Sequence, residues 1–216
     1  MPATPHAPMP SSPRRRFAAA LALALLAGAI TVAVSSAARG ARHVNGPGTA
    51  CGGRLWRLMT LSDKANTAVN LHGEPTSIAK IAAQRSPERI TAARSTSFQR
   101  QVWRVRTVVD RYRMASNGEI VLVLFSIDTG QYMNAYLANP VCLGPKARDR
   151  TGMIAARREL TAHCPAATPA WQLLGVTVDV GGVGFWNPTH VTRGALPNGA
   201  ELRPLTNFKI ISGCGV

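Results

Sequence analysis

The sequence predicts one mainly β domain, and three observations point to that class. Residues 101–109 alternate between apolar and basic side chains, with the period of two that is typical of a half-buried strand. Residues 119–125 form a largely apolar run of strand length between turn sequences. An aromatic residue followed by a polar and then an aliphatic one occurs four times, an ordinary strand pattern. A chain of 216 residues, 46% of them hydrophobic, is long enough to bury one such domain.

The N-terminal residues are typical of an exported protein. Residues 1–13 contain five prolines and no Asp, Glu, Lys or Arg, which predicts a disordered extension. Three arginines then precede an uncharged run over residues 17–38, so residues 14–38 are expected to be a signal peptide or a retained membrane anchor. Small residues at the end of the run favour cleavage. Both alternatives place the rest of the chain outside the cytoplasm, secreted or in the cell envelope, after a linker at residues 39–50.

The net charge is strongly positive. It is +15 for the whole chain, and four of the 25 basic residues lie in or beside the export segment. The rest of the chain has 21 basic and 10 acidic residues, which gives it a net charge of +11. This excess predicts solubility and non-specific attraction to polyanions, and a specific polyanion site is the alternative.

Four cysteines follow the export segment, and an even number in an oxidising compartment predicts two disulfides. They are Cys51, Cys142, Cys164 and Cys214, which allow three connectivities. A zinc site is the alternative, but no two of these cysteines have the close C-x₂₋₄-C spacing that grips one ion. No metal and no other cofactor is therefore expected.

The other elements follow from turns and periodicity. Ser116-Asn117-Gly118 and Asp128-Thr129-Gly130 are turn sequences. Residues 152–164 repeat apolar side chains at helical spacing, although the start of this segment also suits a short strand. A loop rich in Pro and Gly separates the last two strands. Strands are expected at residues 101–109, 119–125, 132–137, 171–180 and 202–212.

The four aromatic-polar-aliphatic triplets indicate an internal repeat. They are Trp56-Arg57-Leu58, Trp103-Arg104-Val105, Trp171-Gln172-Leu173 and Phe208-Lys209-Ile210. Their spacing suits three similar strand units, and self-similarity of this kind is typical of repeat architectures. Chance recurrence of a common strand pattern is the alternative.

At these residues the chain resembles the ricin-type lectins, a family of β-trefoil proteins with three repeats. Gln101-Val102-Trp103 matches the Gln-x-Trp motif that ends each repeat. The order Cys142-Leu143, Gly152, Cys164, Trp171 and the stretch Val178-Asp179-Val180-Gly181-Gly182 are similar to two further parts of the repeat. The resemblance implies a β-trefoil over residues 51–216. A five-stranded OB-like Greek-key barrel is the alternative fold.

The resemblance also implies a disulfide pairing. Cys142 is expected to bond to Cys164 inside the middle unit. Cys51 is expected to bond to Cys214, which would tie the two ends of the domain together.

The same resemblance implies a binding function. In this family a carboxylate accepts hydrogen bonds from sugar hydroxyls while an aromatic ring packs against the sugar. Asp179 matches the carboxylate and Trp186 would supply the ring, whereas Gly144 and His72 stand at the acidic positions of the other units. Lectin-type subunits of secreted bacterial toxins share this architecture. The expected ligand is therefore a glycan or a partner toxin subunit.

A basic strand and two proton-exchanging residues are the remaining candidates. Arg100, Arg104 and Arg106 are expected on one face, where guanidinium groups can meet phosphate, sulfate or carboxylate. A solvated face is the alternative. His190 and Glu201 are the residues that a divergent secreted hydrolase would use. The sequence contains no G-x-S-x-G, phosphate-loop or H-E-x-x-H motif, so a non-catalytic binding domain is favoured over an enzyme.

Overall fold

The computed structural model of the chain describes residues 51–188 and 192–215. The extension, the signal peptide or anchor, and the linker expected over residues 1–50 lie outside the described residues. None of the described helices is long and apolar enough to cross a membrane.

Six strands and three α-helices are present in the described residues. The strands are β1 (Asn70–Pro75), β2 (Gln101–Met114), β3 (Ile120–Phe125), β4 (Tyr132–Leu137), β5 (Gln172–Trp186) and β6 (Ala200–Ser212). The helices are α1 (Trp56–Met59), α2 (Ile78–Ala82) and α3 (Arg150–His163). The mainly β class predicted from the sequence is therefore confirmed.

The six strands form one sheet in the order β1-β2-β3-β4-β6-β5, and β5 also pairs with β2. This last pairing closes β2, β3, β4, β6 and β5 into a ring. β2 is antiparallel to β3 and β5, while β6 is antiparallel to β5 and parallel to β4. β1 runs parallel to the first residues of β2, outside the ring. α3 lies between β4 and β5 in the chain and packs against β6.

Strand β2 and the two turns that follow it agree with the local sequence. Val105 is buried between the exposed Arg104 and Arg106, as the alternating pattern predicts. The turn at Ser116-Asn117-Gly118 joins β2 to β3, and the turn at Asp128-Thr129-Gly130 joins β3 to β4. The first turn needs its glycine, because that residue has a φ of 77°.

The ambiguous segment at residues 152–164 is helical. Helix α3 begins after Asp149, whose side chain accepts a hydrogen bond from the backbone N–H of Gly152 at 3.3 Å. The apolar residues at helical spacing lie on one buried face, so tertiary packing selects the helix over a strand. These buried residues are Met153, Ala156 and Leu160.

Hydrophobic clusters lie on both faces of β5, and the main cluster also includes residues of β6. The main cluster includes Val178 and Leu202. On the opposite face of β5, Phe185 packs with Leu58 of α1, and Val183 belongs to another cluster. Burial on these strands therefore does not follow a simple alternation of one covered and one open face.

The stretch Gly181-Gly182-Val183-Gly184 lies inside β5 and does not form a turn. A Cβ atom at Gly184 would collide with the carbonyl oxygen of Phe98, and one at Gly182 would lie 2.7 Å from Leu205 Cδ2. The glycines are therefore required where neighbouring chain segments approach the strand closely.

A β-trefoil is not confirmed. A trefoil needs three similar strand units, whereas the described strands form a single sheet with a helix between two strands of its closed ring. The triplets that indicated a repeat lie in unlike surroundings: Trp56-Arg57-Leu58 is in α1, and Trp171 precedes β5. Two others lie on β2 and β6, which do not pair with each other.

Two disulfides are present, as predicted, but the predicted pairing is wrong. Cys51 bonds to Cys142, and Cys164 bonds to Cys214, with Cα atoms 5.4 and 4.9 Å apart. Cys164 follows the last residue of α3 and meets the end of β6 because α3 packs on that strand. The expected Cys142–Cys164 and Cys51–Cys214 bonds are therefore absent. The two disulfides are consistent with an extracytoplasmic location.

Candidate functional site

The two residues expected to bind sugar are not combined in one site. Asp179 lies on β5 between Arg106 of β2 and Lys209 of β6. Trp186, at the end of β5, is 1% exposed, and its indole N–H donates a hydrogen bond to the hydroxyl of Thr96 at 2.9 Å. Trp186 therefore offers no ring face to a ligand in this structure.

Exposed cations lie on β2 and β6, on either side of β5. Arg104, Arg106 and Lys209 form what we call the basic face, with Asp179 of β5 among them. Arg104 Nε lies 3.7 Å from Asp179 Oδ1, and these side chains are 51% and 28% exposed. Solvent screens such a pair, so it adds little stability. The basic face keeps a net positive charge that an anion can approach.

A cleft of about 420 Å³ lies beside the first residues of β2. Its lining residues, which define the Trp103 cleft, are Glu74, Gln84, Ser97, Arg100, Gln101 and Trp103. Glu74 lies opposite Trp103 in the pairing of β1 with β2. Arg100 was expected on one face with Arg104 and Arg106, but it lines this cleft. Cavities of about 300–1,000 Å³ are usual for small ligands.

Hydrogen bonds hold the walls of the Trp103 cleft in place. The indole N–H of Trp103 donates to the carbonyl oxygen of Phe98 at 3.0 Å, and the two rings stack with their centroids 5.9 Å apart. The amide of Gln101 donates to the carbonyl oxygen of His72 at 2.6 Å and accepts from Asn70 at 3.1 Å. Gln101 therefore fixes β1 beside β2, while Trp103 supplies an aromatic wall.

Several polar groups in the Trp103 cleft are available to a ligand. The side chains of Glu74, Gln84 and Ser97 are exposed and bond to no other described residue. Arg100 donates from Nε and Nη2 to the carbonyl oxygen of Arg94, at 3.2 and 2.8 Å, which leaves Nη1 for a ligand. The cleft thus presents a carboxylate, an amide, a hydroxyl and a guanidinium edge beside an indole.

The two hydrolase candidates do not form a surface site in the described residues. His190 lies outside those residues. Glu201 is buried, with 3% of its surface exposed. Its Oε1 lies 3.6 Å from Arg203 Nη1, and its Oε2 accepts a hydrogen bond from Asn187 at 3.1 Å. Burial raises the pKa of Glu201 to about 7, against the opposing effect of the Arg203 guanidinium.

Arg203 is the centre of this buried network. Its guanidinium donates from Nε and Nη2 to the two carboxylate oxygens of Glu119, the first at 3.0 Å, and lies 4.1 Å from the ring centroid of Tyr136. Burial, followed by the negative charge of Glu201, raises the pKa of the Tyr136 hydroxyl. The carboxylates of Glu119 and Glu201 therefore both lie against the guanidinium of Arg203.

A Ser-x-x-Lys sequence, the spacing that some serine acyl-transfer enzymes use, occurs at Ser77-Ile78-Ala79-Lys80. The hydroxyl oxygen of Ser77 accepts a hydrogen bond from the backbone N–H of Lys80 at 3.2 Å. Ser77 is therefore the N-cap of α2, an ordinary way to begin a helix.

Sequence reasoning missed three residues of the Trp103 cleft. Glu74 comes from β1, Gln84 follows α2, and Ser97 precedes β2. These segments carry no motif, so the signals for this part of the molecule were the Gln-x-Trp sequence and Arg100 of the basic strand. No protein-family model matches this chain, and no curated protein matches it either.

Proposed function

We propose that this chain is an exported, lectin-like and non-catalytic binding domain that recognises a glycan through the Trp103 cleft. The observation that carries the proposal is the position of Trp103 among polar groups that have no partner in the described residues. An indole packs against the apolar side of a sugar ring, while Glu74 and Gln84 exchange hydrogen bonds with sugar hydroxyls. The two disulfides and the apolar N-terminal run support export.

We also propose that the closed ring is an OB-like Greek-key barrel. Its strand order β2-β3-β4-β6-β5, with α3 between β4 and β5, supports this assignment. Barrels of this kind bind oligosaccharides or oligonucleotides. A partner toxin subunit, which the ricin-type resemblance implies, is the protein ligand that such a domain would take.

The charges of the Trp103 cleft suggest which glycans fit best. Arg100 has a free guanidinium edge, and such an edge pairs well with a carboxylate or a sulfate. Glu74 accepts hydrogen bonds from two adjacent hydroxyls. Since the cleft is open and its polar contacts are few, we expect a dissociation constant of about 0.1–1 mM for a single sugar unit.

Replacing Glu74 with Gln is expected to weaken glycan binding by about tenfold, since a charge-assisted hydrogen bond becomes a neutral one. The exported protein is first screened on a glycan array, and the best ligand is then titrated by calorimetry. The fold should be unchanged because Glu74 is exposed.

Glu88→Gln is the matched control, since Glu88 is also an exposed acid but does not line the cleft. The affinity of this variant for the glycan should equal that of the unaltered protein. Absence of any glycan binding at millimolar concentration, or equal affinities for the two variants, would contradict the sugar site.

The basic face supports a second candidate function, the binding of a polyanion. Arg104, Arg106 and Lys209 are exposed on β2 and β6, on either side of β5. The carboxylate of Asp179 lies among them and reduces their combined field. We therefore expect attraction that depends on the net charge and not on this face in particular.

The variant Arg104→Gln/Arg106→Gln should elute from heparin at a lower salt concentration than the unaltered protein, and Arg89→Gln/Arg158→Gln should show the same decrease. Arg89 and Arg158 are exposed and lie off the basic face. Arg157 is unsuitable as a control, because it donates hydrogen bonds to the carbonyl oxygens of Gly118 and Ala138. A much larger decrease for the first pair would establish a polyanion site on the basic face.

A further inference from the structure

A separate cavity of about 420 Å³ lies beside α1, and none of its lining residues belongs to the basic face or to the Trp103 cleft. Three cationic side chains line it, and all three are exposed: Arg54, Arg57 and Lys64. The rest of its wall includes alanines 65, 92 and 93, which have no side-chain polar atoms. We call this the Arg57 pocket.

The one carboxylate that lines the Arg57 pocket is already neutralised. Asp63 Oδ1 lies 2.7 Å from Arg94 Nη2, and its Oδ2 accepts a hydrogen bond from Arg94 Nε at 3.2 Å. Both side chains are almost fully buried. Among the described residues no hydrogen bond or ion pair holds the side chains of the three lining cations. The pocket therefore presents three uncompensated positive charges.

Arg94 also fixes the shape of the Arg57 pocket. Besides its two bonds to Asp63, it donates to the carbonyl oxygens of Leu58 at 3.2 Å and Gln99 at 2.9 Å. Arg94 thereby joins three parts of the chain. They are helix α1, the loop that carries Asp63, and the segment that follows the two alanines at 92 and 93. A pocket whose backbone is held in this way loses little freedom when a ligand binds.

We infer that the Arg57 pocket binds a tetrahedral oxyanion carried as a monoester, the phosphate or sulfate ester of a small polar molecule. Guanidinium groups bind such anions through paired N–H donors, and the ammonium group of Lys64 adds a point charge. The alanine wall leaves room for the esterified group, because the cavity is in the size range of small organic ligands. The site shares no lining residue with the Trp103 cleft.

The test uses two-dimensional NMR of the exported protein with glucose 6-phosphate, glucose 6-sulfate, inorganic phosphate and inorganic sulfate, at about 150 mM salt to screen distant charges. We expect at least one ester to shift the amide signals of residues 65, 92 and 93, with a dissociation constant on the order of 1 mM. The matching free ion should bind no more tightly than the ester. Shifts with neither ester, or with the free ions alone, would overturn the proposal.

The variant Arg57→Gln/Lys64→Gln removes two of the lining cations and should weaken ester binding by about tenfold or more. The control Lys80→Gln/Arg158→Gln loses the same charge from exposed residues that do not line the pocket, and it should bind as the unaltered protein does. Equal weakening in both variants would mean attraction to the net charge and would overturn the site. Circular dichroism checks that both variants fold.

Discussion

Replacing Arg94 with Met is expected to lower the free energy of unfolding by about 3–5 kcal/mol. Arg94 is 3% exposed and makes hydrogen bonds to Asp63, to Leu58 and to Gln99. Methionine would leave the carboxylate of Asp63 buried without a partner and would remove the donors from two carbonyl groups. The cost of a buried, unpaired charge exceeds the net value of the ion pair that it once formed.

Urea unfolding of the protein with its disulfides intact measures this effect. Arg89→Met is the matched control, because Arg89 is an exposed arginine, and its effect should stay within about 0.5 kcal/mol. The double variant Arg94→Met/Asp63→Leu should recover part of the loss, since it removes both charges. A loss below about 1 kcal/mol in Arg94→Met would show that Asp63 finds another partner or water.

Arg94 links the two candidate sites. Its side chain fixes the Arg57 pocket, and its carbonyl oxygen accepts both hydrogen bonds from Arg100 in the Trp103 cleft. The next residues are held by Gln99, whose side-chain oxygen accepts from the backbone N–H of Ser95 at 2.9 Å. The segment that ends at β2 is therefore ordered from within, and both sites are formed on a rigid backbone.

Local sequence predicted most elements of the ring but not how they pair. The expected strand at residues 132–137 has the observed bounds, and the helix at residues 152–164 differs from α3 by two residues at its start. The closing contacts join β2 to β5 and β4 to β6, which are far apart in the chain. Short motifs cannot specify such non-local pairs, so the choice between trefoil and barrel stayed open. The disulfide pairing depended on that choice and was wrong for the same reason.

Local sequence also failed to predict burial where a second layer covers the sheet. Glu201 and Trp186 lie near the ends of β6 and β5, and the roles expected for them, proton exchange and packing against a sugar, need accessible side chains. Both are buried, and Phe185, which pairs with Glu201 and precedes Trp186, packs on α1. The two-residue period of a strand indicates which side of the sheet a residue occupies, whereas its burial depends on what packs against that side. The Trp103 cleft likewise arises only when β1 docks beside β2.

Ionisation of Glu201 is expected to lower the free energy of unfolding as the pH rises from about 5 to 8. The decrease should be on the order of 3 kcal/mol. Burial raises the pKa of Glu201 to about 7 in the folded protein, while an unfolded glutamate ionises near pH 4.3. Between these two values the unfolded chain has released the proton and the folded chain still holds it. A rise in pH therefore favours the unfolded state, up to the pH at which Glu201 ionises in both.

The difference in unfolding free energy between the unaltered protein and Glu201→Gln, measured by urea unfolding at several pH values from 5 to 8.5, isolates this contribution. The glutamine side chain cannot ionise, so the unfolding free energy of this variant relative to the unaltered protein should increase with pH and level off above about pH 8. Glu88→Gln is the control, because Glu88 is exposed, and its difference from the unaltered protein should not change across this range. The charged groups nearest to Glu201 are Arg203 and Glu119, and Arg203 keeps its proton throughout, because its raised pKa lies above that of an ordinary arginine. A difference that stays constant with pH would mean that Glu201 is already ionised at pH 5, with Arg203 compensating its charge fully.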